Sequence, residues 1–137
     1  MNIMMLAYHR NGLIHLFLNE AYVSASLIAF GESAAESQGV PLNRLWDQTE
    51  FLTNILRNEF VVRNQISDYE CFMSTLRFME KRGFIRITND SQPLVKVVKE
   101  KSYALKFFRT FISPFVESYW VTLSYFKQMK SELTVLQ

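Results

Sequence analysis

Two histidines, one cysteine and a polar run near the start of the chain are the residues whose chemistry could be catalytic. His9, His15 and Cys71 supply every imidazole and thiol in 137 residues. Their spacings do not make a zinc site, so no metal is expected. Cys71 stands next to Phe72 beside an apolar helical stripe, without the base and electropositive setting that activate a thiol, and reads as half-buried and inert. His15-Leu-Phe-Leu-Asn-Glu20 sets an imidazole and a carboxylate five positions apart. On a helix such positions lie about 140° apart round the axis, so Glu20 cannot orient His15 as a catalytic pair requires. No Gly-x-Gly-x-x-Gly and no Gly-x-x-x-x-Gly-Lys block is present to cradle a nucleotide phosphate, so no cofactor is expected. What is left is Tyr8-His-Arg-Asn-Gly-Leu-Ile-His-Leu-Phe17, a polar and basic cluster that runs without a break into an apolar segment. Arg10, Asn11 and His15 are its candidate functional side chains. The same groups serve equally well to cap a helix start, where four amides lack partners.

The elements that must position these groups are mostly helical. Leu13 to Phe30 carries Ile14, Phe17, Leu18, Ala21, Ala25, Ile28 and Ala29 on one stripe, and Leu13, Leu16, Val23 and Leu27 on the other side. A helix apolar nearly all round is enclosed by protein or by lipid. Eighteen residues are marginal for a membrane span, and Glu20 near the centre would cost about 2.5–3.5 kcal/mol on insertion, so the segment is placed inside protein. Gly31 to Gly39 reads as a loop, and Pro41 suits the first turn of a second helix with Leu42, Leu45, Trp46, Leu52, Ile55, Leu56 and Phe60 as its stripe. A third helix starts at Ser67, where Ser67-Asp-Tyr-Glu70 fits a capping box, and ends at Gly83. Its core face is Tyr69, Phe72, Met73, Leu76 and Met79. The period then falls to two: Phe84–Thr88 and Leu94–Val98 are β-branched runs joined by a turn-rich connection, a hairpin. Helix returns from Lys101 to Ile112, breaks at Ser113-Pro114 and continues towards Leu136. The fold class is therefore mostly α, a bundle of about five helices with one small β-hairpin, in a single domain over 1–137. The third helix and the hairpin together make a winged-helix-like unit.

Charge is concentrated on that unit. Lys81 to Arg109 holds eight basic residues against Asp90 and Glu100, while the rest of the chain is net acidic. Arg86, Lys96, Lys99 and Lys101 form the centre of this basic patch. Such a patch meets phosphates, an anionic membrane or an acidic partner, or it is a solvated face. Nucleic acid is not the favoured partner, because no close helix-turn-helix pair or base-reading helix stands out. The lone Cys71 and the lack of a cleavable signal favour a reducing compartment, where the sequon Asn89-Asp-Ser91 stays unmodified.

Tyr8-His-Arg-Asn-Gly-Leu-Ile-His-Leu-Phe17 resembles the segment that follows the catalytic domain in the glycerol-3-phosphate and dihydroxyacetone-phosphate acyltransferase family. The likeness continues through Phe51-Leu-Thr-Asn-Ile-Leu-Arg-Asn-Glu-Phe-Val61 and Arg82-Gly-Phe-Ile-Arg-Ile-Thr88, and ends in Ser113-Pro-Phe-Val-Glu-Ser-Tyr-Trp120. It runs over roughly residues 6 to 130, in several separate blocks, and is nearer the peroxisomal dihydroxyacetone-phosphate enzymes than the bacterial ones. The resemblance implies acyl transfer from a thioester to the sn-1 hydroxyl of a three-carbon phosphate, in glycerolipid or ether-lipid synthesis. That chemistry uses a His-x-x-x-x-Asp pair with Gly-x-x-x-Arg-Arg and Glu-Gly-x-Arg-Ser phosphate blocks, none of which occurs in this chain. The chain is thus expected to be a C-terminal region, inactive by itself, whose partner is the acyltransferase domain and whose Arg10, Asn11 and His15 reach towards that domain's substrate cleft. An anionic membrane of the peroxisome, mitochondrion or endoplasmic reticulum is a further implied partner. A stand-alone interaction module using the 81–109 patch on nucleic acid or an acidic protein is the alternative.

Overall fold

Helix α1 (Ile3–Ala29) is the axis around which the other elements pack. The computed structural model describes residues 3–60, 68–88 and 90–135, with side chains over 12–60, 68–88 and 90–129. Leu18, Ala21, Tyr22, Val23 and Leu27 of α1 are buried, on both of the stripes seen in the sequence. Enclosure by protein is therefore the structural answer to a helix without a polar face. The window Gly12–Ala29 is long and apolar enough to cross a membrane, yet its Ile14, Leu18, Ala21, Tyr22, Val23 and Leu27 belong to the core of the fold.

Gly31 ends α1 by adopting φ +96, a conformation that costs glycine little. The chain does not then run as the expected loop. It forms a short helix, α2 (Glu32–Ser37), because Ala35 finds a buried seat and Lys106 pairs with Glu32 at 2.8 Å. Pro41 also departs from expectation. It is extended, and Val40–Pro41 makes a two-residue strand, β1, before α3 (Leu42–Leu56) begins. Two residues carry no readable alternation; only pairing with a distant strand makes them one.

The buried face of α3 is Leu42, Leu45, Thr49, Thr53 and Leu56, which moves the expected stripe onto two threonines and leaves Ile55 at the surface. Each threonine hydroxyl donates to the carbonyl four residues back, and the Thr49 hydroxyl oxygen lies 3.1 Å from Ser26 Oγ of α1. Those bonds remove the cost of burying a hydroxyl.

Helix α4 (Tyr69–Lys81) is capped by Asp68, whose carboxylate accepts from Cys71 N at 2.8 Å. The cap is one residue later than the expected Ser67, which lies outside the described residues. An N-cap side chain is worth about 0.5–2 kcal/mol. Asp68→Ala should accordingly lower the unfolding free energy measured in urea by an amount in that range, and Asp68→Asn, which keeps an acceptor, should restore most of it.

Gly83 (φ +71) closes α4, and β2 (Ile85–Ile87) with β3 (Leu94–Val97) forms the expected hairpin. The addition is β1, which pairs antiparallel with the other edge of β3, giving the order β1-β3-β2. A 3-10 turn (Lys99–Lys101) leads into α5 (Ser102–Arg109). The break after α5 falls at Thr110–Ile112 rather than at Ser113-Pro114. Ser113 instead opens α6 (Ser113–Val135), where Pro114 occupies the first turn and forfeits no helical hydrogen bond.

Candidate functional site

The sequence-derived candidates divide between two places in the fold. Arg10, Asn11 and His15 lie along α1, which begins at Ile3. They are therefore within a helix and not at its entry, so the capping role does not apply to them. The side chain of His15 is exposed, and those of Arg10 and Asn11 lie outside the described ones. His15 and Glu20 share α1, with His15 in solvent and Glu20 half-buried, and no hydrogen bond or ion pair joins them.

The basic patch is spread rather than convergent. Arg86 and Lys96 are directly opposite across β2 and β3. Lys99 is exposed in the 3-10 turn. Lys101 turns inward: its ammonium donates to Arg82 O at 2.8 Å and sits 5.8 Å from the Phe84 ring centroid. Lys101 thus ties the α4 terminus to the start of α5. Lys106 is occupied by Glu32. The exposed part of α4 carries Glu70 and Glu80 beside Arg77, and Glu80 accepts from Ile87 N. That face has mixed charge.

Around Cys71 the electrostatics argue against nucleophilic chemistry. Burial, reinforced by the negative charges of Asp68 and Glu20, pushes the thiol upward. The Asn19 amide donates to its sulfur at 3.8 Å. A thiol held protonated is a poor nucleophile. Among the described residues, no group of three or more His, Cys, Asp or Glu could hold a metal ion.

Burial also raises the Glu20 carboxyl above its ordinary value of 4.5. A carboxyl whose folded value is raised binds its proton more tightly in the native state. It therefore favours folding below the ordinary value, and that contribution disappears as pH climbs through the folded value. Glu20→Gln is expected to raise the urea midpoint at pH 7, with the gain shrinking as the pH approaches 4.5. A gain that did not change with pH would show that charge is not its origin.

The surface feature that stands apart is α6. Its first turns are anchored: Phe115 meets the Phe60 ring edge-on at 4.8 Å, and the Tyr119 hydroxyl donates to Glu59 at 2.7 Å. That hydrogen bond, made to a carboxylate, pushes the Tyr119 phenol upward. Beyond it Trp120, Val121, Leu123, Tyr125, Phe126 and Met129 are all exposed, Trp120 by 69% and Phe126 by 61%. On a helical wheel Val121 to Leu123 bound an apolar arc of about 200°, and Trp120 projects from the opposite side. At the N-terminal part of α1, Leu13 and Leu16 are likewise exposed, by 47% and 60%. Isolated surface leucines need no explanation, but a helix with six large apolar side chains in solvent does. Phe107, Phe108, Phe111 and Phe115 are the aromatics that the sequence offers for contact with a lipid surface, and the segment beyond Tyr119 is not among them. Phe108 and Phe111 of that set are core residues.

The family model described as the glycerol-3-phosphate acyltransferase C-terminal region matches residues 1–136. No curated protein and no solved structure matches the chain.

Proposed function

This chain belongs to the glycerol-3-phosphate acyltransferase C-terminal region family, and from that premise we propose that it supports sn-1 acyl transfer without carrying out the chemistry. The observation that carries the reading is the bare apolar length of α6 beyond Tyr119. In our reading this helix, with Leu13 and Leu16, packs against the acyltransferase domain that precedes such a region in the family.

Two further observations support it. The described residues offer no base with an orienting partner: His15 is unpaired in solvent, and the one thiol is held protonated. Acyl transfer needs a positioned base as well as proximity, so the chemistry falls to another domain. The polar positions of α1 nearest the family's domain junction are Arg10, Asn11 and His15. We assign them to the rim of the substrate cleft, where they would help hold the acceptor phosphate.

Membrane association is the second element of the proposal. The exposed Trp120, Tyr125 and Phe126 have the amphipathic rings that suit a lipid interface. Beyond Tyr119 the remaining side of this helix carries one charge among the described side chains, Lys127, whereas a helix lying on a bilayer needs a strongly charged face. Enclosure by the acyltransferase domain therefore comes first, and lipid contact second.

The test is reconstitution. The purified chain, mixed with a separately produced acyltransferase domain of the family, is expected to form a complex by analytical ultracentrifugation and to raise or stabilise acyl transfer to glycerol 3-phosphate or dihydroxyacetone phosphate. The chain by itself is expected to show no turnover of acyl-CoA with either acceptor. Turnover by the chain alone would refute the division of labour, and the lack of a complex would refute the docking.

A further inference from the structure

A second surface, remote in sequence from α6, is built where α3, α4 and the hairpin connection meet. A groove of about 510 Å³ is lined by Pro41, Arg44, Trp46, Tyr69, Gln92 and Pro93, among others. Its walls are held firmly. Pro41 is opposite Leu94 in the β1–β3 pairing, and Leu42 N donates to Pro93 O at 3.0 Å, which fixes the two prolines side by side. Trp46 is braced from beneath by the buried Phe72, 5.2 Å between ring centroids, and meets Tyr69 edge-on at 5.4 Å. Tyr69 itself is 47% exposed.

The polar groups of this groove are unspent. The indole N–H of Trp46 and the hydroxyl of Tyr69 make no hydrogen bond with any described residue, and neither is sealed from solvent. Arg44 is exposed and forms no ion pair with any described carboxylate; its guanidinium lies 6.0 Å from the Phe30 ring centroid. Two aromatic rings, two prolines, an indole donor and an exposed guanidinium thus line one groove.

We propose that this groove binds an extended, proline-containing segment of a partner protein in the polyproline II conformation, with an acidic residue seated at Arg44. The chemistry of such a segment matches each part. Proline rings pack flat against Trp46 and Tyr69, as in other aromatic-lined grooves that take this conformation. A polyproline II chain has no internal hydrogen bonds, so its carbonyls are free to accept from the indole N–H and the phenol. Arg44 selects charge, since a guanidinium and a carboxylate can pair through two parallel hydrogen bonds. A single-stranded nucleic acid could also stack on aromatic rings, but it requires a line of cations along its backbone. The groove offers Arg44 alone, and the Arg86 and Lys96 pair belongs to another element.

The experiment uses the full chain and a fluorescein-labelled peptide of repeated Pro-Pro-Glu units, followed by fluorescence anisotropy. Saturable binding is expected, weaker by about tenfold or more for a Gly-Gly-Glu peptide of the same length and charge, and for a Pro-Pro-Lys peptide. Trp46→Phe keeps an aromatic ring, though a smaller one, and removes the donor, and Arg44→Glu reverses the charge; each is expected to weaken binding by about tenfold. Tyr69→Ala removes an exposed ring, so it serves as the deciding variant should Trp46→Phe fail to fold by circular dichroism. Absence of binding overturns the proposal. So does equal affinity for the glycine peptide, unchanged binding by folded Tyr69→Ala, or a preference for oligothymidylate over the proline peptide.

Discussion

Replacing Tyr125 and Phe126 of α6 together by serine is expected to abolish association with the acyltransferase domain while leaving the thermal midpoint of the isolated chain nearly unchanged. The two halves of that expectation have one cause. Both rings are more than half in solvent in this fold, so the free chain loses little packing when they are removed. Surface changes away from caps and cores are usually worth within about 0.5 kcal/mol of stability. In a docked state the same rings would be desolvated anchors, and truncating an aromatic anchor at the centre of an interface typically costs about 2–4 kcal/mol. Two of them should therefore weaken the complex by a factor on the order of 10³ or more. The measurement is the dissociation constant of the complex beside the melting curve of the free chain. Were the melting curve to collapse with the double substitution, α6 would be structural, and the docking argument would lose its basis.

Phe72→Ala is expected to do the reverse, destabilising the chain severely without touching its surface. Phe72 is fully buried and lies against Trp46 and Tyr69, so it joins α4 to α3 across the core. Deleting a buried phenylalanine ring costs about 3–5 kcal/mol through lost transfer energy and the cavity left behind. A domain's whole stability is about 5–15 kcal/mol, so a large share would go. Phe72→Leu, which refills most of the volume, should recover more than half of that loss in urea denaturation. It should also preserve the aromatic groove, because Trp46 keeps an apolar support. A loss as small for alanine as for leucine would mean that α3 and α4 close over the gap, and that Phe72 is not the joint described.

Much of the helical architecture was legible because local signals agreed with each other. The stripe of α4, its glycine stop at Gly83 and the β-branched runs of the hairpin each point to the element that forms. Where signals were weak or short, tertiary contacts decided. Val40–Pro41 is a strand only because β3 presents a free edge to it. Glu32–Ser37 is a helix because Ala35 fits the core and Lys106 waits for Glu32. Asp68 took the cap from its neighbour because its carboxylate reaches Cys71 N. On α3, the sequence favours Ile55 for the interior, yet Thr49 and Thr53 hold that place. A threonine can do so once its hydroxyl bonds to the preceding turn.

The functional surfaces followed the same division. The sequence alone carried the resemblance of the Tyr8 to Phe17 run and of the later blocks, and with it the family, because those blocks are local strings that need no partner to be read. In the same way, neither glycine-rich phosphate motif and no His-x-x-x-x-Asp string can be read in these 137 residues. Only the tertiary structure decided which apolar residues are left over. Phe108 and Trp120 look alike as letters, but the first is covered by Phe17 and Phe84 and the second by nothing described. It alone also brought Trp46 to Tyr69 and Pro41 to Pro93, residues between 23 and 52 positions apart in the chain. Burial and convergence are properties of the whole packing, because a side chain is hidden or exposed only by what other segments do around it.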